Sequence, residues 1–278
     1  MMDKEYKIIE LQVETHFIGK RIYHYKRISS TQQLAISFAE TNIRDENGTV
    51  ILADEQYDGK GRGNKKWISP KGGLWMSLII KPKIEFNKIN IFSLVTAISV
   101  CEIINEMFNL KTRIKWPNDI VIYNKKIAGI IIDSSINNSN IDYIVIGIGI
   151  NIVIDILKIN LFLSSSNRLS QNITSLQHEV KEKCIDRFIL LKQLLERLEY
   201  YFFLIQNKTD YTKIIDIYKK LSNTLGKSIY VYGKDVKEFC AIAKDIDIDG
   251  GLILKRENNI IEKLYCGEIS IREQDKEK

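Results

Sequence analysis

The sequence predicts an α+β fold: a mixed sheet carrying packed helices, followed by a small C-terminal all-β domain. Three observations predict it. Up to Lys219, apolar runs of strand length alternate with longer stretches whose apolar residues recur at helical spacing. Beyond Lys219 only short strand-like runs remain, broken by the turn sequence Asp249-Gly250-Gly251. The length of 278 residues, 45% of them hydrophobic, suffices for about two domains, each with a core. The expected division is 1–220 and 221–278.

Element by element, Ile22 to Ile28 reads as a strand, and Ser29-Ser30-Thr31 supplies capping hydroxyls for a helix from about Gln32 to Glu40. Thr49 to Gln56 and Gly73 to Lys81 read as strands, and Leu94, Ile98, Cys101 and Phe108 mark a core helix. Ile120 to Tyr123 and Ile127 to Ile132 predict a hairpin across Asn124-Lys125-Lys126, with Tyr143 to Ile150 as a further buried strand. From about Asp155 to Gln177 the chain is rich in Ser and Asn without a period, which predicts irregular structure. Phe188, Leu191, Leu195, Leu198 and Phe202 then predict a helix with one buried stripe. Ser228 to Tyr232, Cys240 to Ile246, Gly251 to Lys255 and Ile260 to Tyr265 are the strands of the second domain, and the charged tail from Glu273 is expected to be unstructured.

Composition excludes several functions. A net charge of +6 from 41 basic and 35 acidic residues is too even to argue for nucleic acid. Cys101, Cys184, Cys240 and Cys266 form no C-x-x-C pair, which argues against a disulfide framework or zinc knuckle and fits a reduced, cytoplasmic setting. His16, His24 and His178 are scattered, which disfavours a histidine-centred metal site or triad. The N-terminus lacks a signal-peptide pattern. The apolar window Tyr143 to Leu157 is interrupted by Asn151 and Asp155 and is too short for a bilayer, so no membrane role is expected.

The chemistry concentrates around Gly59-Lys60-Gly61-Arg62-Gly63-Asn64-Lys65-Lys66-Trp67, where backbone freedom, positive charge and an indole coincide. Glycines let main-chain N–H groups approach an anion, the cations hold it, and the indole offers a flat face to a planar ring. Gln56, three residues earlier, can both donate and accept, as a urea-like ligand would need. Lys115-Trp116-Pro117-Asn118-Asp119 sets a cation, an amide and a carboxylate around a proline. Lys126-Ile127-Ala128-Gly129 puts a lysine at the hairpin turn, and Gly147-Ile148-Gly149-Ile150-Asn151 ends a strand with two glycines and an amide. Alone, each has an ordinary alternative: a solvated basic turn, a tight loop, a surface lysine, a close helix–sheet contact.

In this order, and with Ser30-Thr31, Ser69-Pro70, Ile173-Thr174-Ser175-Leu176, Asp249-Gly250 and Gly267-Glu268-Ile269-Ser270-Ile271-Arg272, these segments resemble the motifs of biotin protein ligases over about Ile22 to Arg272. The resemblance implies a class II synthetase-like catalytic domain followed by a small β-barrel. It also implies a two-step reaction: biotin and ATP form biotinyl-AMP and pyrophosphate, then a carrier-protein lysine takes the biotinyl group. Lys126, Arg62, Lys115 and Asp119 would be the catalytic residues. Ser30, Thr31, Gln32, Gln56, Gly59, Lys60, Gly61, Arg62, Lys126, Gly129 and Gly147 would hold biotin. Arg62, Lys65, Trp67, Lys115, Asn118, Lys126 and Asn151 would hold ATP or the adenylate, with Trp67 stacked on adenine. Magnesium would arrive with ATP and not on a fixed protein site. The implied partner is the biotin carboxyl carrier domain of a biotin-dependent carboxylase and, by analogy, a second copy of the chain. The basic loop is expected to close over biotin or the adenylate and exclude water.

The chain departs from the family pattern at Lys60, where arginine is frequent, at Gly63-Asn64, and at Ala128, where a second glycine is common. Lysine keeps the charge but loses the bidentate fork, so altered loop closure and leakage of intermediate are expected. Only about twenty residues precede the first strand, too few for the winged helix-turn-helix of the repressor members, so no DNA role is expected. Two alternatives compete. A lipoate or octanoate ligase shares the fold, although its arginine-rich and glycine-triplet signature is not visible. A nucleic-acid binder could use the Lys60 to Trp67 patch.

Overall fold

The computed structural model describes residues 5–41, 46–63, 65–137, 140–159, 172–180, 184–207, 211–233, 236–257, 259–265 and 269–273. Asn64, residues 160–171 of the expected irregular segment, Cys266, Gly267, Glu268 and the tail after Glu273 lie outside the described residues.

The chain opens with β1 (Tyr6–Ile9), β2 (Ile22–Tyr25), α1 (Thr31–Thr41), β3 (Val50–Ala53), β4 (Gly73–Ile80) and α2 (Asn90–Phe108). Then follow β5 (Arg113–Lys115), β6 (Asp119–Ile122), β7 (Lys125–Asn137) and β8 (Asn140–Asn151), then α3 (Leu176–Val180), α4 (Arg187–Gln206) and α5 (Tyr211–Leu221). The eight strands form one sheet in the order β1-β2-β3-β4-β8-β7-β6-β5. β2 and β3 pair in parallel and their neighbours antiparallel, so the sheet is mixed as expected.

Alternation sends the strand side chains to two cores. Tyr23, Tyr25, Ile51, Ile79 and Val145 pack against Ala35 and Ala39 of α1 on one face. The other face carries α2, α4 and α5 in a larger core that includes Leu52, Leu78, Ile146, Ile98, Leu194 and Ile214. Asp186 caps α4 by accepting from the N–H groups of Phe188 and Ile189. By length and composition α2 could cross a membrane, yet it is a core helix here: twelve of its residues are buried, and Phe92 meets Phe202 of α4 with ring centroids 5.0 Å apart.

β1, β5, α3 and α5 go beyond the sequence reading. β1 is a mostly exposed edge strand without apolar alternation. In α5, β-preferring Ile214, Ile215 and Tyr218 obscure a helix whose one buried face they form. One expectation is corrected. The hairpin turns at Tyr123 and Asn124, both at positive φ (49° and 59°), so Lys126 sits on β7 and not in the turn. Register shifts between Ile120↔Ala128 and Val121↔Lys126, a bulge that gives Lys126 its own direction on the strand.

The C-terminal strands β9 (Ser228–Gly233), β10 (Val236–Ile246), β11 (Leu252–Lys255), β12 (Ile261–Leu264) and β13 (Ile269–Glu273) form an antiparallel sheet in the order β12-β11-β10-β9-β13. This is the small all-β domain the composition predicts. It touches the first sheet through Trp116, whose Nε1–H donates to Gly250 O at 3.2 Å.

Candidate active site

A cleft of about 130 Å³ opens on the α1 face of the large sheet, where β4, β7 and β8 carry small residues. Its floor is hydroxyl and amide. Ser30, Thr31, Gln32, Ser69 and Ser77 are buried, and the Thr31 N–H donates to Gln56 Oε1 at 2.8 Å. Ile28 bridges to Gln56 as β2 and β3 end, which carries the start of α1 to the base of the glycine-rich loop.

That loop folds on itself. Gly61 N–H donates to Lys65 O at 2.7 Å, Trp67 N–H to Gly59 O at 2.9 Å, and Lys60 bridges Lys66. Of its glycines only Gly63 is left-handed (φ 60°); Gly59 is small for another reason, since a Cβ there would stand 2.5 Å from Trp67 O. The charge is also arranged differently from a uniform basic patch. Lys60 and Lys66 both reach Asp58, at 2.7 and 3.2 Å, and hold its carboxyl below the usual 3.8. Asp58 was not singled out in the sequence, where an acidic residue beside the glycines carries no signal of its own.

Over the cleft lies Trp67. Its ring covers Gly129 and Gly149, where a Cβ would come within 2.9 and 2.6 Å of it, and it meets Trp75 edge-on at 6.4 Å. Its Nε1 is buried without a hydrogen-bond partner. Lys126 Nζ stands 4.7 Å from the Trp67 ring centroid and 2.6 Å from Asp119 Oδ1. The backbone of Lys126 is pinned by Asn172 O and Thr174 N, at 2.7 and 2.9 Å.

The cleft thus gathers Ser30, Thr31, Gln32, Gln56, Lys60, Gly61, Arg62, Lys65, Trp67, Asn118, Asp119, Lys126, Gly129 and Gly147 from six separate segments. Three of the sequence candidates do not line it. Gly59, at the start of the loop, faces Trp67 O and Ser69, and Lys115 sits on β5 opposite Asp119. Asn151, buried at the end of β8, donates to Thr174 O at 3.0 Å. Asn118 lines the cleft but spends its amide on Ile130 O. Gly147 makes room for α1, since a Cβ there would stand 2.5 Å from Gln32 Oε1, while Gly149 serves Trp67.

Ser77 and Asp133 were missed by sequence reasoning. Ser77 does leave a trace, a lone hydroxyl within the buried run Gly73–Ile80. Among the described residues no group of three or more His, Cys, Asp or Glu side chains could hold a metal ion. Chemically, the arrangement offers a neutral hydrogen-bonding floor at one end, cations at the other, and an aromatic cover between them.

The model of the biotin/lipoate A/B protein ligase family matches residues 24–151. The chain is 32% identical over 266 residues to the bifunctional ligase/repressor BirA of Bacillus subtilis, covering 95% of this chain and 78% of that one. It is 31% identical over 104 residues to the biotin–[acetyl-CoA-carboxylase] ligase of Paracoccus denitrificans, covering 37% of this chain and 43% of that one. Its fold matches the biotin protein ligase from Aquifex aeolicus in complex with biotin and ATP, with TM-score 0.74 and 26% identity, covering 91% of this chain and 99% of that one.

Proposed function

Because the chain belongs to the biotin protein ligase family and is therefore a ligase, we propose that it activates biotin as biotinyl-5′-AMP and transfers it to a lysine of a biotin carboxyl carrier domain. The observation that carries this is the polarity of the cleft: Thr31 and Gln56 at one end suit a neutral ureido ring, and Lys126 and Arg62 at the other suit two anions.

In the first step a biotin carboxylate oxygen bonds to the α-phosphorus of ATP, and the bond to pyrophosphate breaks. Both reactants are anions, so fixed cations must offset their repulsion and the charge of the in-line transition state. Lys126 is held for this by Asp119 at 2.6 Å, with Arg62 on the loop above. Magnesium enters as part of the ATP substrate; Asp119 is the carboxylate in the cleft that could help place it. Trp67, the aromatic residue lining the cleft, would turn a face to adenine once nucleotide enters, and its buried Nε1–H would gain an acceptor. In the second step the carrier lysine attacks the mixed anhydride, AMP leaves, and an amide forms. Gly59, Lys60, Gly61, Lys65, Lys115, Asn118, Gly129, Gly147 and Asn151 complete the proposed site. The division at 220/221, a homodimer and a cytoplasmic setting belong to the same reading.

The test is the mass of a carrier domain incubated with the protein, ATP, magnesium and biotin. A gain of one biotinyl group is expected. Pyrophosphate release with lipoate but not with biotin would replace this reading with the lipoate one.

A further inference from the structure

The basic loop is a small hairpin whose pairing sets two like charges face to face. Gly61 N–H donates to Lys65 O at 2.7 Å and Trp67 N–H to Gly59 O at 2.9 Å, so these two bonds flank the Lys60↔Lys66 bridge. A pair flanked in this way exchanges no main-chain bonds of its own, and it is the position where opposite side chains of an antiparallel ladder come closest. Two ammonium groups held there repel each other and push the limbs of the hairpin apart.

The Asp58 carboxylate divides between the two limbs. Its Oδ2 accepts from Lys60 Nζ at 2.7 Å on the outgoing limb, and its Oδ1 lies 3.2 Å from Lys66 Nζ on the returning one. The main chain of Asp58 is tied to the body of the domain, since its N–H donates to Ser29 O at 3.0 Å and that of Tyr57 to Ile28 O at 3.1 Å, next to the start of α1. One anchored anion thus turns a repelling pair into two attractive contacts, at the rim of the cleft that Lys60, Arg62, Lys66 and Trp67 line.

We propose that Asp58 is a positioning residue that clasps the two limbs of the loop, so that the charges of the chain itself hold the loop folded at the cleft. Its consequence for catalysis rests on the biotin reading: substrate meets a loop already shaped, and little binding energy is drawn off to fold it. The three side chains are partly exposed, so the clasp shifts an equilibrium by several-fold and not by orders of magnitude.

Trypsin reads the loop directly, because Arg62 lies within it. Cleavage of the full chain after Arg62, followed by fragment mass, is expected to run about fivefold faster in Asp58→Asn than in wild type at low salt. At about 1 M salt, where the screening length is about 3 Å, the two rates are expected to converge to within about twofold. Adding Lys66→Glu sets a carboxylate opposite Lys60 and is expected to bring the low-salt rate back to within about twofold of wild type. A merely structural role for Asp58 gives faster cleavage at every salt concentration and no rescue. In biotin-dependent pyrophosphate release, Asp58→Asn is expected to raise KM for biotin about threefold, with kcat within about twofold of wild type. Asp58→Ser removes the same charge, and whichever variant keeps the wild-type melting temperature carries the test. An unchanged cleavage rate, a double variant cut as fast as the single, or an unchanged KM overturns the proposal. Wild-type protein that releases no pyrophosphate with biotin overturns the biotin reading instead and leaves the cleavage result standing.

Discussion

The indole of Trp67 rests on the bare backbone of Gly149: a Cβ at that position would stand 2.6 Å from Trp67 Nε1. The second glycine of Gly147-Ile148-Gly149 is thus a seat for the aromatic cover of the cleft, fixed by shape before any ligand is considered. Gly149→Ala must displace the indole, at the roughly 1–3 kcal/mol that overpacking costs. The expected result is a shifted tryptophan emission and a KM for ATP raised about tenfold, with biotin affinity less affected. Unchanged emission and an unchanged KM for ATP would mean that Trp67 does not sit there in solution.

Lys126 and Asp119 form the pair on which the proposed first step would depend, 2.6 Å apart with both side chains mostly buried. Lys126→Ala removes the cation that two anionic reactants share, and biotin-dependent pyrophosphate release is expected to fall by about 100-fold or more. Asp119→Ala leaves the ammonium in place but unheld, so a smaller loss of about tenfold is expected. Equal losses in the two variants would show that Asp119 acts on the substrate directly and not through Lys126.

The sequence carried the sheet, the buried helices and most of the cleft because periodicity and ordered motifs are local signals. Lys126 shows where that stops. Placing it on β7 and not in the turn needed two consecutive residues at positive φ, one of them Tyr123, a residue with little preference for that conformation. Asp58 was overlooked because its partners Lys60 and Lys66 are recognisable only once the loop has folded back. Ser77 lines the floor and Asp133 backs it through contacts with α1 across long sequence separations, which no window of residues reveals.

Glu199 of α4 gives a pH prediction away from the cleft. It is 4% exposed and accepts from the N–H groups of Ile18, Phe17 and His16 at 3.0, 2.9 and 2.5 Å. Burial pushes its carboxyl up, but these three donors outweigh burial and hold it below its ordinary 4.5. A carboxylate depressed in the folded state stabilises the fold above the unfolded pKa and loses that contribution as pH falls through the folded one. Glu199→Gln is therefore expected to cost about 1–3 kcal/mol near neutral pH, with the gap to wild type narrowing below about pH 4. Urea denaturation of both proteins across that range measures it, and a gap that stays constant with pH would remove the charge from the explanation.

Trp116 joins the turn between β5 and β6 to the C-terminal sheet. It is 2% exposed, its Nε1–H donates to Gly250 O at 3.2 Å, and its main-chain N–H donates to Thr224 Oγ1 at 2.9 Å. Tyr218 OH adds a bond to Pro117 O at 3.2 Å. The front of Lys115-Trp116-Pro117-Asn118-Asp119 is thereby held by the C-terminal region, while its rear lines the cleft and grips Lys126. Trp116→Phe keeps an aromatic ring and deletes one donor, leaving the buried Gly250 carbonyl short of a partner. A stability loss of about 1–2 kcal/mol is expected from that alone. If the turn passes the disturbance on, kcat for adenylate formation also drops several-fold while KM for biotin stays near wild type, because Thr31 and Gln56 hang from other strands. A lowered melting temperature with kcat intact would confine Trp116 to holding the two sheets together.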